Sequence, residues 1–143
     1  MKVVLANTED LQQKAFEIRQ EVFVIEQRVD RDEEFDEFEE VSRHFVALDD
    51  AGRPIGAARW RVTDKGIKLE RFAVKRTERG KGIGGLLVQS VLDDIKDQKG
   101  SGHYLYLHAQ LPAVALYEKF DFQTQGEQFE ECNIMHYHMF KHS

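Results

Sequence analysis

The chain has a single cysteine, Cys132, so no internal disulfide can form. Such usage points to a reducing, cytoplasmic setting. No apolar run approaches the roughly 20 residues that a membrane-crossing helix needs, and no membrane partner is expected. The opening residues, MKVVLANTED, turn acidic too early for a secretory leader. Repeats, low-complexity tracts and linker-like stretches are missing too, so residues 1–143 read as one domain. Net positive charge is also lacking. Lys and Arg number 20 against 26 Asp and Glu, a formal charge of −6, which disfavours nucleic acid as a partner. What is present, 41% apolar and 32% charged residues, suits a globular rather than a disordered chain.

Periodicity gives the order β-α-β-β-β-α-β-α-β-β, a mixed α/β domain. KVVLA is a short apolar strand. Thr8 can cap a helix in which Leu11, Ala15, Ile18 and Val22 recur at helical spacing. HFVALDD and PIGAARWRV flank the turn DDAGRP, and IKLERFAV follows as a third strand. Gly82 to about Gln98 is amphipathic, with Ile83, Leu87, Val91 and Ile95 on one side and Gly100 at its end. HYLYLHA is a strand, Pro112 to Lys119 a short helix, and FQTQGEQF and IMHYHMF close the chain as strands.

The densest chemical signal is VKRTERGKGIGG, residues 74–85, with four glycines from position 80 onward and four basic residues, Lys75, Arg76, Arg79 and Lys81. Gly80, Gly82 and Gly85 satisfy G-x-G-x-x-G, a weak pattern alone and equally a flexible turn into a helix. A dinucleotide site should follow its strand closely and place an acid about 20 residues on. Here KRTE intervenes, and the corresponding strand end carries Ala109-Gln110. A P-loop needs G-K-[ST], which GIGG lacks. Anion binding survives these exclusions. Glycines admit close backbone approach, a helix N-terminus offers unpaired N–H groups, and Arg79 and Lys81 add charge. A diphosphate is the natural guest.

RGKGIG has the form R-x-x-G-x-G after the strand ERFAV, and so resembles the acyl-CoA-binding motif of the GNAT superfamily of N-acetyltransferases. QLPAVALYEKFDF resembles that family's N-x-x-A-x-x-L-Y-E-K-x-G-F signature, with Gln110 in place of Asn and Asp121 in place of Gly. The element order matches across nearly the whole chain. IRQEVFVIEQRVDRDEEFDEFE and SRHFVAL resemble the small bacterial YjcF/ElaA-like branch, through Arg19, Val22, Phe23, Glu26, Gln27, Asp36 and His44.

The resemblance implies a GNAT acyl-CoA N-acyltransferase fold, a mixed central sheet flanked by helices with splayed central strands. The strand with Phe72, Ala73 and Val74 would part from the strand with Leu107 and Ala109. The pantetheine arm of acetyl-CoA would pair with the first strand, and Gln110 would touch it. Arg79, Gly80, Lys81, Gly82, Ile83, Gly84 and Gly85 would hold the pyrophosphate. Catalysis would be direct transfer to an amine, needing a base and an acid for the leaving thiolate.

Tyr117 holds the family's general-acid position, though a core tyrosine would read the same way. Glu70, on one strand face with Phe72 and Val74, should have a raised pKa suited to a base; an ion pair with Arg59 or Arg61 is the competing role. His108, on the face of Tyr104 and Tyr106, is the other base candidate or a hydrogen-bonded structural histidine. Arg19, Phe23, Glu26 and Gln27 are expected on the acceptor side. Arg19 could reach a substrate anion, or pair with a nearby acid. DRDEEFDEFEE, residues 30–40, reads as a solvated segment or a negative rim that attracts a cationic amine. His136, His138 and His142 lack a supporting third ligand, so no metal is expected.

The expectation is an acetyl-CoA-dependent N-acetyltransferase acting on a small-molecule amine. A protein lysine or N-terminal amine is the alternative acceptor, and a non-catalytic acyl-CoA sensor is the alternative class. A homodimer is left open.

Overall fold

The computed structural model describes residues 1–143. Seven strands form one sheet in the order β1-β2-β3-β4-β5-β7-β6. They are β1 (Lys2–Leu5), β2 (Arg43–Leu48), β3 (Pro54–Val62), β4 (Ile67–Val74), β5 (Tyr104–Gln110), β6 (Gln123–Glu131) and β7 (Ile134–His142). Only β4 and β5 run parallel. The helices are α1 (Glu9–Arg19), α2 (Arg31–Glu34), α3 (Ile83–Lys99) and α4 (Val114–Glu118). The predicted element order holds, with α2 added inside the acidic segment. No helix is long and apolar enough to cross a membrane.

Each helix is placed by its apolar stripe. On one face α3 packs Ile83, Leu87, Val91 and Ile95 against Trp60, Leu69 and Leu107. On the other, α1 packs Ala15 and Ile18 against Val46, Ala57 and Ala73. Thr8 Oγ1 accepts from the Leu11 N–H at 3.2 Å and caps α1, as its position predicts. The helix does not simply continue through Val22. It widens into a π-helical segment, Gln20–Glu26, which re-aims the side chains that follow.

β4 holds the irregularity that shapes the site. The β3–β4 register slips between Ala57 and Arg59, and Arg71 sits at φ 63. This is a bulge, with one extra residue on β4. It interrupts the alternation. Leu69 shares its face with Phe72 and Val74, whereas Ala73 packs on the α1 side. Glu70 therefore does not share a face with Phe72 and Val74, contrary to a straight period of two. Beyond the two parallel pairs Ile67↔Leu105 and Lys68↔Tyr106, β4 and β5 separate. β7 holds β5 in register from Tyr104 to Gln110, so β4 is the strand that leaves.

The acidic segment is not a solvated run. Arg59 on β3 is 0% exposed and donates to Asp36, Glu39 and Glu70 at 2.7–3.1 Å. Arg19 is likewise buried. It donates to Glu34 Oε2 at 2.9 Å, to the Glu34 carbonyl at 2.8 Å and to both Glu39 oxygens at 2.7–2.8 Å. Asp30, Asp32, Glu33, Glu37 and Glu40 stay exposed. The reason is local: a buried guanidinium needs carboxylates, and this segment is the nearest supply.

Removing Arg59 alone takes one cationic partner from each of three carboxylates. Arg59→Met should lower stability by about 3–5 kcal/mol in urea titration. The pH dependence has a definite sign. Burial pushes Asp36 up, but the hydrogen bonds and charge of Arg59 more than reverse this and hold it at about 2, against an ordinary 3.8. A depressed folded pKa stabilises above the unfolded value and is lost as pH falls through the folded one. Wild type should thus lose stability steeply from about pH 4 down to about 2, and the Arg59→Met curve should be flatter there.

Candidate active site

The glycine loop folds as an amide cradle. Gly80 and Gly82 adopt φ 82 and 83, conformations that glycine reaches without strain. The first intrahelical bond of α3 runs from Leu86 N–H to Gly82 O at 3.2 Å. The six N–H groups from Gly80 to Gly85 have no backbone acceptor. A Cβ at Gly80, Gly82 or Gly85 would meet nothing within 4 Å. Six amides without a backbone acceptor, grouped at a helix N-terminus, fit a pyrophosphate.

The basic side chains contribute less than their number suggests. Arg79 Nη1 and Nη2 donate to Glu26 at 2.7 and 2.8 Å, and Nε donates to the Val74 carbonyl at 3.0 Å. Lys81 Nζ donates to Glu78 at 2.7 Å. Two of the four expected positive charges are thus matched, while Lys75 and Arg76 make no ion pair, and the amides supply the further donors. Glu26, expected on the acceptor side, is instead paired with Arg79 of this loop.

Where β4 and β5 part lies a cleft of ≈ 160 Å³. Phe72, Leu107, Tyr117 and Phe23 wall it, and Glu33, Cys132 and Glu131 stand at its rim. Tyr117 is 6% exposed, with its ring edge-on to Phe72 at 5.7 Å and to Phe122 at 6.3 Å. Burial alone drives its pKa above the ordinary phenol value. Gln27 and Gln110 exchange amide hydrogen bonds at 2.9 and 3.2 Å, joining the end of the π-helical segment to the tip of β5. Phe23 and Gln27 thus reach the cleft as expected. Arg19 does not: its guanidinium is consumed by Glu34 and Glu39 and lies against the Phe16 and Phe35 rings.

The two base candidates differ sharply. Arg59 holds Glu70 Oε1 at 2.8 Å and Arg61 holds it at 2.6 Å, with Lys68 3.5 Å from Oε2. Burial pushes its carboxyl up, yet Arg59, Lys68, Arg61 and Arg71 together bring it below the usual range. The expected raised pKa is wrong, because the neighbours are cations rather than apolar groups. His108 Nδ1 lies 3.1 Å from Glu131 Oε2. Glu131 was not singled out in the sequence. It ends β6 at a two-residue turn, Cys132-Asn133, both at positive φ (52 and 64). Only Asn133 hints at that turn. Cys132 is held neutral: burial and the bond from Sγ–H to Glu33 push its thiol up to about 11.

A sheet parted beside a row of free backbone amides has room for an extended, diphosphate-bearing ligand. The chain belongs to the GNAT acetyltransferase family, whose domain matches residues 7–143. It is 39% identical to the uncharacterised N-acetyltransferase YjcF of Bacillus subtilis, over 99% of each chain. Its fold is similar to that of an acyl-CoA N-acyltransferase from Pseudomonas aeruginosa, with a TM-score of 0.86, 23% identity and 99% of both chains covered. A B. subtilis acetyltransferase solved with CoA matches at a TM-score of 0.73 and 17% identity, over 99% and 98% of the chains. The protein is an acyl-CoA-dependent acetyltransferase.

Gly85 offers the cleanest probe of the cradle. It has neither positive φ nor a close neighbour, whereas a Cβ at Gly84 would meet Leu116 at 3.2 Å. Gly85→Glu should fold normally and weaken CoA binding by about 10-fold, ~1.4 kcal/mol, by setting a carboxylate beside the phosphates. Calorimetric titration of CoA, with Gly85→Ala as the control that retains binding, checks this.

Proposed function

We propose that the protein transfers the acetyl group of acetyl-CoA to the primary amine of a small molecule by direct attack. The observation that carries this is Tyr117 at the wall of the small cleft from which β4 runs into the amide cradle. Phe72, Ala73 and Val74 lie on the part of β4 that leaves β5, where a pantetheine arm can pair with backbone. Gln110 can turn from Gln27 to that arm. Gly80 to Gly85 then hold the pyrophosphate.

The acceptor side favours a small substrate. Glu33 of α2 and Cys132 of the β6–β7 turn are joined at 2.8 Å, bridging the rim. Behind them the segment 30–40 is fixed by Arg19, Arg59 and Arg71. A cleft of ≈ 160 Å³ under such a rim admits a compact amine more readily than a folded protein surface.

His108 takes the base role, since both the position and the basicity of Glu70 are committed to arginines. The ammonium gives one proton to His108, and the neutral amine forms the C–N bond as the C–S bond breaks. Tyr117 donates a hydrogen bond to the departing thiolate, which takes its proton from the new amide nitrogen through solvent. A phenol shifted upward by burial cannot be an anion near neutral pH, so it enters as a donor. Full transfer to a thiolate of pKa near 8.5 is uphill. Its help is therefore partial, a hydrogen bond that strengthens as charge grows on sulfur in the apolar cleft.

Tyr117→Phe should keep fold and CoA affinity while kcat falls about 10- to 10³-fold, ~1.4–4 kcal/mol. Thiol release from acetyl-CoA with a panel of small amines measures it. No thiol release above hydrolysis with any amine would identify a sensor instead. Turnover confined to lysine-bearing proteins would move the acceptor class.

A further inference from the structure

We propose that Glu131 is a positioning residue for acetyl transfer: it fixes the tautomer of His108 and balances the imidazolium that forms when His108 takes the acceptor's proton. The inference rests on the transfer reading above and on His108 as its base.

The geometry is specific. Glu131 Oε2 lies 3.1 Å from His108 Nδ1, and both residues line the cleft that holds Tyr117. The Glu131 carboxyl is held below the usual range, first by its hydrogen bond with His108 and then by the charges of His108, Lys68 and His136. An ionised carboxylate can only accept. Nδ1 must therefore carry the hydrogen, which leaves the Nε2 lone pair free to take a proton from an ammonium. Phe129 stands edge-on to the His108 ring at 5.0 Å, with Tyr106 and His138 at 6.3 and 5.7 Å, so the ring is held by packing as well.

Glu131 is itself held from two directions. The turn at Cys132-Asn133 sets Glu131 opposite Ile134, at the last pair of the hairpin. The Cys132 thiol then ties that turn to Glu33 of α2. The charged and titratable groups around His108 are Glu131 on β6, His136 and His138 on β7, Lys68 on β4 and Tyr106 on β5. Glu131 is the carboxylate that touches the ring; Glu70 lines the same cleft but is taken by Arg59, Arg61 and Lys68. In the step itself R–NH3⁺ becomes R–NH2, Nε2 gains the proton, and the imidazolium releases it to solvent after the C–N bond has formed.

The test is Glu131→Gln, which keeps shape at a half-exposed site and removes charge. CoA affinity and melting temperature should be unchanged. The plateau of kcat/KM should fall about 10- to 10²-fold. Glu131→Asp should recover part of the loss. In a His108→Gln background, Glu131→Gln should cost nothing further, since it acts through the ring. Imidazole ¹⁵N NMR should show the Nδ1–H form in wild type and a tautomer mixture in Glu131→Gln. A wild type that turns over amines beside a Glu131→Gln variant with the same plateau and the same imidazole tautomer overturns the proposal and leaves the transfer reading standing. A wild type that turns over no amine overturns both.

Discussion

A guanidinium sealed from water cannot stand alone, and the arrangement of this molecule follows from how Arg59 is satisfied. An unpaired charge in that position would cost several kcal/mol, so the chain brings carboxylates to it from separate elements. Glu70 comes from the neighbouring strand, and Asp36 and Glu39 from the segment after α2. Arg19, equally buried, shares Glu39 and adds Glu34. A segment of high negative charge, which by itself would stay extended in water, thereby becomes a fixed wall of the cleft. The same pairing removes Glu70 from chemistry. Its carboxyl lies among cations that keep it ionised and occupied, and a carboxylate in that state is a poor proton acceptor.

The bulge at Arg71 depends on this network and also opens the site. A non-glycine residue at φ 63 is held only where its surroundings insist. Here they do: the Arg71 guanidinium reaches Glu34 at 3.2 Å and Asp36 at 3.1 Å. The extra residue bends β4 away from β5 and turns Phe72 toward Tyr117. One insertion thus creates the gap between parallel strands, lines it with an apolar ring, and leaves strand backbone for an extended ligand.

Much of this was legible in the sequence because it is local. The glycine loop, the Thr8 cap, the hairpin at Asp49–Pro54 and the stripe of α3 each depend on residues within a few positions of one another. The parted strands and Tyr117 were reached through family motifs. What failed was set by distance or by a single-residue slip. The face of Glu70 was misjudged because a period of two cannot show a bulge. The acidic segment was misjudged because a buried ion pair looks, in sequence, like two surface charges; Arg59 and Asp36 lie 23 positions apart. Of the two roles open to Arg19, pairing with an acid holds and the substrate contact does not. Arg19, Asp36 and His44, which carried the narrower family likeness, turn out to be parts of that scaffold. His44 Nε2 meets the Glu39 carbonyl at 2.7 Å. Glu131 was invisible for the same reason: nothing near it in sequence names His108.

The end of the π-helical segment links the two halves of the site. Glu26 grips Arg79 of the cradle, and the next residue, Gln27, grips Gln110 at the tip of β5. Three residues before Glu26, Phe23 lines the cleft beside Tyr117. An α-helical continuation would have turned these side chains differently, because seven residues of π-helix shift the phase of everything after Arg19. On the proposed reading, an arm in the gap between β4 and β5 would compete for Gln110, and a pyrophosphate at the cradle would compete with Glu26 for Arg79. Both contacts end on one short segment, so co-substrate and acceptor would share a wall ordered by side-chain amides and one ion pair rather than by a rigid core.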